Sequence, residues 1–152
     1  MAGFNELTAG RAKVGDLAFE AIPDVDGLTA VKEVRATFDF AKLGGAIGSI
    51  ALPVTLPEGA IVMDGMVHVL TAVTSGGAAT VALQLEAAGD IVAAAAVTGA
   101  PWSTTGLKDI VPAGTAATAV KTTVARKPTV VIATAALTAG KFRVFLRYVT
   151  SE

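Results

Sequence analysis

The chain has no cysteine, a single histidine, one tryptophan and one tyrosine among 152 residues, and only 16% of it is charged. Without cysteine there is no disulfide framework, no thiolate metal site and no thiol nucleophile. A formal net charge of −1 argues against nucleic-acid binding driven by phosphate neutralisation. The opening Met-Ala-Gly-Phe-Asn-Glu has no basic start followed by an apolar run, so no signal peptide is expected and intracellular synthesis is the default. Gly65 to Leu85 lacks Asp, Glu, Lys and Arg over a length that would span a bilayer. Thr74-Ser75-Gly76-Gly77 breaks that stretch, and the residues around the break alternate in twos. Two strands and a turn are expected there, with no membrane association.

What the chain does contain leans toward strands. It has 31 Ala, 19 Val and 18 Thr, is 53% hydrophobic and has a mean hydropathy of +0.63. Its length suits one domain, and its high apolar fraction and low net charge disfavour disorder. Residues 1–30 stand apart, with five acidic residues against Arg11 and Lys13, while Gly10, Gly15, Pro23 and Gly27 prevent a long helix. They read as an extended N-terminal arm or as an edge segment folded on its own domain, and residues 31–152 read as the folded body.

From Val31 onward, short strands alternate with small-residue turns. Val34, Ala36, Phe38 and Phe40 alternate with polar residues, and Gly44-Gly45 turns the chain into Ile47–Leu52. Val67–Val73 is expected to form a hairpin with Thr80–Glu86 through Ser75-Gly76-Gly77. Further strands are expected at Leu107–Val111, Thr118–Ala125, Thr129–Ala135 and Lys141–Val149, with Thr138-Ala139-Gly140 as a turn. Ile91–Val97, with four consecutive alanines, reads as strand or helix. Eight or nine short strands at this spacing predict an all-β fold, an antiparallel sandwich of jelly-roll type. The bulky residues lie early (Phe38, Phe40) and late (Phe142, Leu146, Tyr148), so the first and last strands are expected to meet.

The sequence offers little chemistry. His68 sits mid-strand with no metal-ligand spacing around it, and no serine lies in a Gly-x-Ser-x-Gly elbow. Gly44–Gly48 lacks the following helix and Lys-Ser/Thr of a phosphate loop. Asp24-Val25-Asp26-Gly27 is half a calcium loop without its remaining ligands. No catalytic residue, cofactor or metal is therefore assigned, and the chain is not expected to be an enzyme. Two features bear on binding. Trp102, in the longest loop of the body, either caps one end of the sandwich or anchors a partner or sugar, the cap being favoured. Lys141, Arg143 and Arg147 fall on one face of the last strand, either as a solvated outer face or as a basic surface for an acidic partner, the arm included.

Ala36–Phe40, Gly44–Ile50, Leu56–Val62, Thr74–Thr80, Gly114–Lys121 and Ala135–Phe142 resemble small structural proteins of tailed bacteriophages, and more narrowly the capsid decoration, or cement, proteins. The resemblance runs from about Val34 to Val149. It implies a jelly-roll sandwich without catalytic residues, located on the capsid exterior, with the major capsid protein as partner and a homo-oligomer, dimer or trimer, as its state. The arm is then the candidate contact segment through Phe4, Leu7, Arg11 and Phe19, beside Trp102 and the Lys141, Arg143, Arg147 face. Other phage structural roles (head fibre, tail, receptor binding) and a carbohydrate-binding sandwich using Trp102 are the alternatives.

Overall fold

Strand alternation is clearest at the end of the chain, where Phe142, Val144, Leu146 and Tyr148 are buried while Arg143 and Arg147 between them are exposed. One face of such a segment must be covered by a second layer, which is why a chain of alternating strands becomes a sandwich. In the computed structural model, which describes residues 30–113 and 119–151, eight strands form: β1 (Lys32–Asp39), β2 (Gly48–Ala51), β3 (Ala60–Ser75), β4 (Thr80–Gln84), β5 (Val92–Ala96), β6 (Gly106–Ile110), β7 (Thr129–Ala133) and β8 (Leu137–Thr150). One helical turn, α1 (Phe40–Leu43), follows β1 and is capped by the Asp39 carboxylate, which accepts from the Ala41 amide.

The strands build two antiparallel four-stranded sheets in the orders β1-β8-β3-β6 and β2-β7-β4-β5. Successive strands mostly alternate between the sheets. With the first and last strands as neighbours, this is the connectivity of an eight-stranded jelly roll. The expected sandwich is thus observed, and the Ile91–Val97 ambiguity resolves to strand: the alanines of β5 are extended at a sheet edge.

The expected meeting of early and late aromatics also occurs. Phe38 pairs with Phe142 across β1 and β8, and their rings stack with centroids 4.9 Å apart. The Trp102 ring lies 5.0 Å from Phe142, tilted by 47°. All three side chains are fully buried, together with Val67, Val69, Val81 and Leu83.

Four local expectations change. Ser75-Gly76-Gly77 does not close a hairpin, since β3 and β4 belong to different sheets and the turn carries the chain across the core. Thr138-Ala139-Gly140 lies inside β8 rather than in a turn, with Gly140 at φ 149° among register shifts against β3. Phe40 leaves the strand pattern to begin α1. Of the expected strand at 118–125, the described residues 119–125 form no continuous strand; they hold to the body through backbone hydrogen bonds of Val120 and Thr122 to Val62, Ala60 and Gly59 and through isolated bridges at Lys121 and Arg126. The Thr122 hydroxyl donates to the Pro57 carbonyl at 2.6 Å and accepts from the Ala60 amide at 2.8 Å. Both long strands contain a glycine where β3 and β8, neighbours in one sheet, come close. A Cβ on Gly65 would collide with the Phe145 carbonyl oxygen and sit 2.9 Å from Leu146 Cδ2.

Candidate assembly surfaces

The two sheets present contrasting faces to solvent. On the β1-β8-β3-β6 sheet, the outward residues stand in cross-strand rows fixed by register. One row runs Glu33, Arg147, Asp64; the next runs Arg35, Phe145, Met66, Asp109; a third runs Thr37, Arg143, His68, Leu107; and the last pairs Asp39 with Lys141. Met66 is 43% and Leu107 62% exposed, and Phe145 is half-buried. The Arg35 guanidinium lies over the Phe145 ring, 5.6 Å from its centroid.

Lys141, Arg143 and Arg147 do share this outer face, yet they do not make it basic. Arg147 grips Asp64 with both arms of its guanidinium, Nε to Oδ1 at 2.6 Å and Nη2 to Oδ2. Hydrogen bonding to Asp64 and the attraction of its charge raise the Arg147 pKa above its ordinary value. Lys141 Nζ lies 3.0 Å from Asp39 Oδ2, and that hydrogen bond holds the Asp39 carboxyl below the usual carboxylate range. Four cations (Arg35, Lys141, Arg143, Arg147) are therefore matched by four anions (Glu33, Asp39, Asp64, Asp109) on one sheet face.

The other sheet differs in kind. None of the residues in β2, β4, β5 and β7 is charged, and its outer surface is Ala, Ser, Thr and Val with Gln84. Beside the edges of β5 and β6, a cleft of about 600 Å³ is lined by Val67, Ile91, Val92, Pro101, Leu107 and Ile110. Its lysine, Lys108, already donates to Thr104 Oγ1 and the Thr105 carbonyl. Few polar groups converge there to orient a small molecule, so the cleft carries little recognition chemistry.

Trp102 belongs to the core. Its ring is fully buried, its Nε1–H donates to the Val81 carbonyl at 3.1 Å, and its own carbonyl accepts from Val73 N at 3.0 Å. The capping reading fits; a sugar platform or partner anchor does not, because no ring face is left exposed. Phe4, Leu7, Arg11 and Phe19 lie outside the described residues. His68 is half-buried in the third row, and no cluster of three His, Asp or Glu residues able to hold a metal occurs among the described residues.

Sequence reasoning overlooked Arg35, Met66, Phe145 and Asp109. The available signal was compositional: in a chain of Ala, Val and Thr, Met63 and Met66 fall three residues apart in one strand, and three of five arginines lie in β1 and β8.

No protein-family model matches this chain, and no curated protein matches it. Solved structures do. One similar chain comes from the acidic stable capsid structure of Helicobacter pylori bacteriophage KHP30, at 14% identity and TM-score 0.56, covering 82% of this chain and 90% of that one. Another comes from the cyanophage Pam1 capsid asymmetric unit, at 19% identity and TM-score 0.56, covering 83% and 88%. A third comes from the capsid of Ralstonia phage GP4, at 17% identity and TM-score 0.52, covering 86% and 90%. At these identities the likeness is one of fold.

Proposed function

We propose that this protein is a structural component of a phage virion, bound to the outside of the capsid and reinforcing the shell as a decoration protein. The observation that carries the reading is the threefold structural likeness to chains of phage capsids, each aligned over most of both chains. Coverage that is high on both sides means that the matched chains are close to this one in length. A jelly roll of this size suits an accessory subunit that binds a shell built by a larger major capsid protein.

Linkage supplies the mechanism. A subunit that binds only the mature shell stabilises it by RT ln(1 + L/Kd) per site, where L is its free concentration, and many copies multiply that modest free energy. Residues 1–30, with their net acidic charge and Phe4, Leu7, Arg11 and Phe19, are the proposed contact segment, because an arm laid over a neighbour extends contact without enlarging the domain.

The test is electron cryo-microscopy of the particle that carries this chain, with and without residues 1–30. The expected result is density for the sandwich on the shell exterior in hundreds of copies, lost on removal of the arm while the isolated body stays folded. Density on the tail, or a handful of copies per particle, would replace decoration by one of the other virion roles. Undiminished shell occupancy without residues 1–30 would remove the arm from the contact.

A further inference from the structure

The outer face of the β1-β8-β3-β6 sheet has the composition of a protein interface: Arg, Met and an aromatic at its centre, in a chain whose other outer sheet face is Ala and Thr. Its charges balance, four against four, which argues against an acidic segment as the occupant. They are also arranged with a direction. In the central row the cation Arg35 stands on one edge strand and the anion Asp109 on the other, with Phe145 and Met66 between them.

A two-fold axis parallel to the strands, lying between two such faces, keeps each row in place and reverses the strand order. β1 then lies over β6 of the second copy and β8 over its β3. Arg35 meets the second copy's Asp109, and Phe145 meets the second copy's Met66, a sulfur–aromatic contact. Arg147 and Asp64 meet their counterparts to form a four-charge network. We propose that the chain forms a two-fold dimer through this face, the sheets packed face to face at the roughly 10 Å spacing and modest angle of aligned sandwiches.

The face is large enough. Eight residues of about 3.3 Å on each of β1, β8 and β3 and the five of β6, in strands about 4.8 Å apart, give a footprint of about 460 Å² before side-chain relief is counted. The overhanging ends of β3 and β8 extend it toward the ~800 Å² per partner of a standard interface. The uncharged sheet, with strands of four and five residues, offers a smaller and flatter area.

The inference gives a surface to the self-association that the resemblance implies. Its test uses the isolated full chain in solution, so failure here leaves the virion reading standing. Sedimentation velocity should give twice the 15.2 kDa chain mass. Arg35 and Asp109 are three strand spacings apart within one copy, about 14 Å, too far for direct contact. Arg35→Glu and Asp109→Arg should therefore each weaken self-association by about thirtyfold, as expected at a hot-spot pair, and the double variant should recover most of that loss. Circular dichroism spectra, unchanged in all three because both side chains are exposed, show that folding is intact. A monomer throughout the accessible concentration range, a threefold mass, or a double variant no better than the singles would each overturn the proposal. So would self-association that ignores the charge variants but disappears when residues 1–29 are removed, which would assign it to that segment instead.

Discussion

Phe142 is the residue on which the core turns. It stacks on Phe38 from the neighbouring strand and meets the tilted ring of Trp102 from the loop opposite, so one side chain joins the first strand, the last strand and the longest loop of the body. Removing its ring would leave Phe38 and Trp102 without their shared partner and open a cavity in a core otherwise filled mainly by Val, Ala, Leu and Ile. Phe142→Ala should cost about 3–5 kcal/mol, read as a lower urea midpoint with little change in slope. A loss below 1 kcal/mol would mean that the three rings are not mutually supporting. At this scale the sequence was informative about which residues are inward, since period-two alternation separates Phe142 from Arg143 directly. It was silent about partners. Arg147 and Asp64 are 83 residues apart, and only the register of β8 against β3 brings them together.

Among the elements, the segment 119–126 is held by short runs of backbone hydrogen bonds to residues 56–62 and by a side-chain tether. Glu86, beyond the end of β4, accepts from Arg126 Nε at 2.5 Å and Nη2 at 3.1 Å, and from the Thr123 hydroxyl at 2.6 Å. Those bonds, the guanidinium first, hold the Glu86 carboxyl at about 2 rather than 4.5. A carboxylate with a depressed folded-state pKa contributes stability above its unfolded value and loses it as pH falls through the folded one. Glu86→Gln should therefore lower the melting temperature by a roughly constant, modest amount above pH 4.5, and the gap should close as pH approaches 2. Paired melts from pH 7 downward measure this; a gap that persists undiminished in acid would count against the tether. The expected strand here is only partly realised: Val120 and Thr122 are buried and share backbone hydrogen bonds with Val62, Ala60 and Gly59, but Val124 is exposed, and alternation marks a covered face without specifying how far pairing runs or with which neighbour. The same limit explains the mistaken hairpin. Ser-Gly-Gly permits a reversal equally well within one sheet or from one sheet to the other. Gly65 and Gly140, which look like punctuation, lie inside strands at close approaches of β3 to β8 and Val73.

At the level of the whole molecule, the jelly roll joins residues roughly 100 positions apart, β1 to β8, before its core can close. Loop closure of that kind has to precede the contacts that reward it, so refolding should occur in milliseconds to seconds rather than microseconds. Trp102, the single tryptophan and fully buried, supplies the fluorescence signal for a stopped-flow measurement. Full recovery within the mixing dead time would contradict this topology as the rate-setting feature. The same pairing fixes the polarity of the particle. Lys32 lies beside Tyr148, Ala60 beside Thr150, and the Ser151 amide donates to the Gly59 carbonyl, so the backbone enters and leaves the sandwich at one pole. The opposite pole carries α1 and the Gly76-Gly77 crossing. A cargo appended behind Ser151 would consequently emerge beside the root of the first thirty residues, and one inserted at Gly76-Gly77 would project the other way, giving the molecule two separately addressable ends.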